Sequence, residues 1–143
     1  MMKETVDIYV LDTSALLAFI EAEAGADVVE ALLEQATSEK IVILVSFMTF
    51  MEIYYITMQE HDETEARERV QLMNFLPILR VDSTETIGIF ASQFKANYHL
   101  SVADVWIAAL AKEQNAILVH KDPEFEQVET EMNVLKLPYK ANP

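Results

Sequence analysis

The chain reads as an α/β protein: a three-layer α/β/α sandwich around a mostly parallel central sheet. Three observations predict this. Short apolar runs rich in β-branched residues alternate with segments whose apolar residues recur at helical spacing. The strand-like runs are continuously apolar, as strands covered on both faces are. No repeat, low-complexity tract or Gly- or Pro-rich linker divides the 143 residues, so positions 1–143 are expected to form a single domain.

The elements follow in order. Residues 6–11 are a short strand, and Asp12-Thr13-Ser14 supply cap residues for a helix through Ala15, Leu16, Leu17 and Phe19. Val28, Val29, Leu32, Leu33 and Ala36 mark a helix before a second strand at 41–45, and Ser46 starts a helix running to about residue 60. Asp62 caps a helix carrying Ala66, Val70, Met73 and Leu76, and Pro77 precedes a short strand at 78–81. Ile87, Phe90, Ala91 and Phe94 lie on one face of a helix from 83 to about 98. A nearly all-apolar helix spans 101–114, a strand covers 116–119, and a last strand is expected at 134–137.

Composition removes several function classes. The chain has no cysteine, hence no disulfide, thiolate zinc site or thiol nucleophile, and a cytoplasmic location is the default. Residues 1–7 alternate in charge and do not resemble a secretory signal. The stretch 41–58 holds 18 residues with one charge, Glu52, but Ser46, Thr49, Thr57 and Glu52 would need partners in lipid, so a strand feeding a helix is expected instead of a membrane span. With Gly25 and Gly88 as the only glycines, no dinucleotide loop, Walker-type loop or G-x-S-x-G elbow can be written. A formal charge of −14 repels nucleic acid and anionic membranes at long range; solubility explains most of that acid, and a basic protein partner would be attracted.

Asp12, Glu52, Asp104 and Asp122 each sit where an apolar strand ends or an apolar helix begins. In open parallel sheets, ligand sites form at the carboxyl ends of strands. Asp12 directly follows the first strand, and Asp122 lies three residues beyond Val119. At helical spacing Glu52 shares a face with Met48, Thr49, Tyr55 and Ile56, and Asp104 with Leu100, Ile107, Ala108 and Ala111. Each acid also has a plain structural reading. Asp12 can cap its helix, Ser101 with Asp104 and Thr49 with Glu52 match capping boxes, and Asp122-Pro123 is an ordinary turn pair. Capping does not explain why Glu52 and Asp104 head such apolar helices, so a shared site is favoured. Carboxylates gathered in one cleft repel each other, and a hard divalent ion turns the repulsion into attraction; Mg²⁺ or Mn²⁺ is expected.

Four segments carry a resemblance: Val10-Leu11-Asp12-Thr13-Ser14-Ala15-Leu16-Leu17, Met51-Glu52-Ile53, the run from Leu100 through Asp104 to Ala109, and Ile117-Leu118-Val119-His120-Lys121-Asp122-Pro123-Glu124-Phe125. In their order along the chain they resemble the motifs of PIN-domain ribonucleases, the pair Asp104 and Asp122 being the most specific part. Members of this length resemble the toxin half of toxin–antitoxin pairs of the virulence-associated toxin C (VapC) type. That resemblance implies metal-dependent hydrolysis of RNA to 5′-phosphate and 3′-hydroxyl ends, Asp12 and Asp104 as direct metal ligands, Asp122 and Glu52 on a second ion or acting through water, a cognate antitoxin and a homodimer. Thr13 and Ser101 are expected to orient ligand oxygens. The chain departs from the family's pattern at His120, where a Thr or Ser usually stands; its imidazole can donate a hydrogen bond or can lie on the surface.

Other readings stay open. A degenerate PIN-like protein-binding module or a non-toxin RNA-processing nuclease would keep the fold, and a phosphatase using Asp12 as nucleophile would want a further acid where Ser14 stands. Arg67, Arg69, Lys95 and Lys121 are candidates for a basic rim, with ordinary surface charge as the plainer reading. Phe47, Phe50, Tyr54 and Tyr55 serve either the core or a protein interface. His61 and His99 show no metal-ligand spacing and are expected in solvent.

Overall fold

In the computed structural model, which describes residues 5–141, five strands form one fully parallel sheet in the order β3-β2-β1-β4-β5. These are β1 (Asp7–Leu11), β2 (Ile41–Ser46), β3 (Leu79–Val81), β4 (Ile117–His120) and β5 (Val134–Lys136). The helices are α1 (Thr13–Ile20), α2 (Ala26–Thr37), α3 (Phe47–Glu60), α4 (Glu63–Phe75), α5 (Glu85–Asn97) and α6 (Val102–Glu113). A 3₁₀ helix, Pro123–Val128, follows β4; it has no helical periodicity in the sequence, where only its first residues read as a turn.

Side-chain alternation divides the core. Val10, Leu44 and Leu118 point to the face covered by α5 and α6, while Leu11, Ile43, Val45 and Val119 point to the face covered by the first four helices. The strands are apolar on both sides because both sides are roofed, which is the predicted sandwich. Most starts are set by the predicted caps. Asp12, Ser46, Asp62 and Ser101 each accept a backbone N–H in the first turn of α1, α3, α4 and α6. Thr84 caps α5, which starts at Glu85 and not at residue 83.

Several expectations need correction. Thr49 does not form a capping box with Glu52; the cap lies at Ser46, and Thr49 is buried inside α3. His120 belongs to β4 and is fully buried, so it is not a surface residue. Phe50 is core, Phe47 packs edge-on to Trp106 at 5.3 Å, and Tyr55 is exposed. The 41–58 stretch is broken at Ser46 into β2 and α3, and no helix among the described residues is long and apolar enough to cross a membrane. The signal-peptide reading concerns residues 1–7, of which the first four lie outside the described residues.

Candidate metal centre

The chain passes from β1 outward to β2 and β3, then returns through α5 and α6 to place β4 on the other side of β1. Strand order therefore reverses between β1 and β4, and the loops leaving their carboxyl ends diverge to open a crevice. Asp12 and Asp122 leave those two strands. Asp12 is tied to the neighbouring strand by its own N–H, which donates to Val119 O at 3.1 Å. The predicted convergence of Glu52 and Asp104 comes from α3 and α6, whose first turns open on the same edge of the sheet.

Asp12 is 2% exposed. Its Oδ1 accepts Ala15 N–H at 2.7 Å, and the single Ser14 Oγ proton is shared between its two oxygens at 2.8 and 2.7 Å. Burial nevertheless pushes its carboxyl up to about 7, since those bonds only partly offset desolvation and the charges of Asp104 and Asp122 add to it. Burial likewise raises Asp104 to about 6, opposed by Ser101 and reinforced by Glu52, Asp122 and Glu124. Glu52 is raised by burial and by Asp122, against a 2.6 Å hydrogen bond from Thr13 Oγ1. Thr13 Oγ1 also lies 3.2 Å from Thr49 Oγ1, so α1 and α3 are joined just behind Glu52.

The tightest ligand geometry belongs to Asp104, Asp122 and Glu124, each offering an oxygen within 4.8 Å of the others. Glu124 was not among the predicted site residues, although Asp122-Pro123-Glu124 shows two acids flanking a turn-forming proline. The 3₁₀ helix brings it in: Asp122 caps that helix by accepting Glu124 N–H at 2.9 Å. Asp12 and Glu52 stand outside this trio and are coupled to it through their charges.

No Lys or Arg among the described residues pairs with Asp12, Glu52, Asp104, Asp122 or Glu124. The supposed basic rim is dispersed. Arg69 is buried against Glu21 and Glu65, Arg67 pairs with Glu63, Lys95 Nζ donates to Leu100 O, and Lys121 Nζ donates to Ala24 O. An all-oxygen donor set without an internal cation fits a hard divalent ion and offers none of the nitrogen or sulfur ligands zinc prefers.

His120 does not reach the carboxylates as a donor. Its Nδ1 accepts Asp122 N–H at 3.2 Å, its ring packs on Phe125 and Tyr139, and buried Nε2 has no partner among the described residues. Burial lowers its pKa, so the neutral ring serves to fix the backbone of Asp122. Ser14 is the other positioning residue that sequence reading passed over. Its Oγ accepts Lys121 N–H at 2.8 Å while bonding Asp12, which locks the β4 exit to the start of α1.

A doubly wound parallel α/β domain with acids gathered at its switch point is the class defined by fold and site. The chain belongs to the PIN domain family, whose profile matches residues 9–131 and so takes in all the acids above. Among solved structures, it is similar to a chain of the VapBC2 complex of Rickettsia felis bound to a promoter DNA fragment, with a TM-score of 0.73 at 15% identity, covering 92% of this chain and 99% of that one. It is also similar to a chain of DNA-bound VapBC from Salmonella typhimurium, TM-score 0.71 at 16% identity over 92% and 98% of the two chains. A third is VapC20 of Mycobacterium tuberculosis, described as a sarcin–ricin loop cleaving toxin, TM-score 0.66 at 13% identity over 84% and 94%. No curated protein matches the sequence.

Proposed function

We propose that this protein is a divalent-metal-dependent endoribonuclease and the toxin component of a toxin–antitoxin pair. The observation that carries the reading is the gathering of Asp12, Glu52, Asp104, Asp122 and Glu124 at the β1/β4 switch point, with no Lys or Arg among the described residues paired to them. Asp104, Asp122 and Glu124 would hold Mg²⁺ or Mn²⁺, with Asp12 and Glu52 completing or bridging the set. Bound there, the ion would supply acidification of water and neutralisation of charge developing on the phosphate oxygens.

The chain's own residues prepare that site. Ser14 and Ala15 hold the Asp12 carboxylate in one orientation, Thr13 does so for Glu52, and His120 fixes the backbone that presents Asp122. Local positive charge from the ion would let a phosphate approach a protein that otherwise repels it. Hydrolysis would leave a 5′-phosphate and a 3′-hydroxyl. The antitoxin complexes among the similar folds support a cognate antitoxin. The family resemblance supports a homodimer, and the lack of cysteine supports a cytoplasmic location.

RNA cleavage in Mg²⁺ or Mn²⁺, compared with cleavage by Asp12→Asn and Asp104→Asn, tests the enzyme. Activity that requires the ion and disappears in both variants is expected; cleavage retained by either variant removes that acid from the mechanism. Induced expression should arrest growth, and harmless expression of active protein would overturn the toxin assignment.

A further inference from the structure

A cavity of about 290 Å³ adjoins the acid cluster, with Ser14, Leu17, Glu23, Lys121, Tyr139 and Lys140 in its walls. It shares Ser14 with the metal centre, since that hydroxyl touches both Asp12 oxygens. We propose that this cavity is a nucleotide subsite beside the scissile phosphate, in which Tyr139 stacks the base, Glu23 accepts its N–H groups and Lys140 meets the adjoining phosphate. The proposal rests on the ribonuclease reading and names where one flanking nucleotide of the substrate sits.

In a chain of net charge −14 the cavity brings two lysines close to the site, and it combines them with an aromatic face. Base-on-aromatic stacking with a nearby cation is the usual means of holding a single-stranded nucleotide. The Tyr139 ring packs against buried His120 at 6.2 Å in a stacked arrangement, and Tyr139 is 36% exposed where it lines the cavity. Lys140 is 73% exposed along its side chain and pairs with Glu23 at 3.0 Å, a solvated contact that a phosphate can replace at little cost. Lys121 adds charge from a fixed place, because its ammonium is held on Ala24 O at 2.7 Å.

Glu23 makes the subsite selective. Guanine presents N1–H and its amino group side by side, which one carboxylate can accept together, whereas uracil flanks its single N–H with two carbonyl oxygens. Guanine should therefore be preferred. Tyr139 and Lys140 lie beyond the residues matched by the family profile, so the stacking ring and the phosphate-facing lysine come from the C-terminal segment while Glu23 and Lys121 come from within the matched domain.

Two measurements test it. In the first, a short fluorescein-labelled RNA is titrated by anisotropy into Asp104→Asn protein and into the same protein carrying Tyr139→Leu, Lys140→Ala or Glu23→Gln. Tyr139→Leu keeps an apolar cover over His120 and removes the ring; it should weaken binding about tenfold. Lys140→Ala should weaken it severalfold and lower the salt slope by about one ion. GMP should compete better than UMP, and Glu23→Gln should narrow that difference. In the second, KM and kcat are measured for the same changes in active protein, where KM should rise with kcat nearly unchanged. Binding unaffected by Tyr139→Leu and Lys140→Ala, or equal competition by GMP and UMP, overturns the subsite. Should wild-type protein cleave no RNA, the ribonuclease reading fails by itself, while the anisotropy result still decides the cavity.

Discussion

Two sites in this molecule take charge out of water, and they do so in opposite ways. Arg69 on α4 is 9% exposed, yet its guanidinium lies 3.0 Å from Glu21 and 3.3 Å from Glu65 and reaches Thr57 at 3.5 Å. Its charge is answered within the fold. Asp12 is buried more deeply, and its nearest charged company is more acid. One arrangement is complete as folded, whereas the other holds repulsion that an added cation relieves. The contrast separates a structural ion network from a site built to receive a ligand, although in the sequence both are merely charged residues on amphipathic helices.

The sharpest test of that contrast is the pH dependence of stability in chelator. Asp12 titrates near 7 when folded and near its ordinary 3.8 when unfolded, so the folded state binds the proton more tightly. On its account stability is greatest below about pH 4 and declines as pH rises toward 7. Asp12→Asn keeps the cap and removes this dependence. At neutral pH, without metal, urea denaturation should find the variant more stable by up to about 4 kcal/mol. Equal pH profiles for both proteins would mean that Asp12 bears no such burden.

At the other site, Arg69→Ala should destabilise by about 3 kcal/mol in the same assay, because it leaves a void at a buried position and takes the partner from the partly buried Glu21 and the buried Thr57 hydroxyl. A smaller loss in Arg69→Met would show how much of the effect is packing. Adding Mn²⁺ at about a hundred times its dissociation constant should stabilise wild type by about 2.7 kcal/mol at neutral pH, and less at pH 5, where the raised carboxyls hold protons. Thermal scans at the two pH values check this, and no shift at either would remove the metal centre. The smallest effect belongs to Thr13→Val. Loss of the 2.6 Å bond to Glu52 should cost about 1 kcal/mol and slow cleavage severalfold while leaving the fold intact by circular dichroism.

The scaffold was largely legible, because strand and helix identity is local information. The apolar run now seen as β2 and the caps at Asp12, Ser46, Asp62 and Ser101 needed no distant partner to be recognised. Asp12, Asp104 and Asp122 could be nominated for the same reason: each stands at or beside an element boundary where a parallel sheet gathers its ligands, whereas Glu52 was nominated for the apolar face it shares inside α3. What failed was partnership across the chain. Arg69 and Lys121 were offered as surface charge, but one answers Glu21 on a different segment and the other holds Ala24 O. Glu124 was missed because it approaches Asp104 only after Pro123–Val128 coils into a 3₁₀ turn.

By itself, the sequence determined the alternation of strand and helix, the two-sided burial of the sheet and the acids at its carboxyl edge, since hydrophobic period and cap chemistry act over a few residues. Only the tertiary structure decided which oxygens lie close enough to share a cation, which lysines face inward and that His120 is buried. Those outcomes depend on strand order and on contacts between distant residues, 107 positions apart in the case of Ser14 and Lys121, and no local pattern carries that distance.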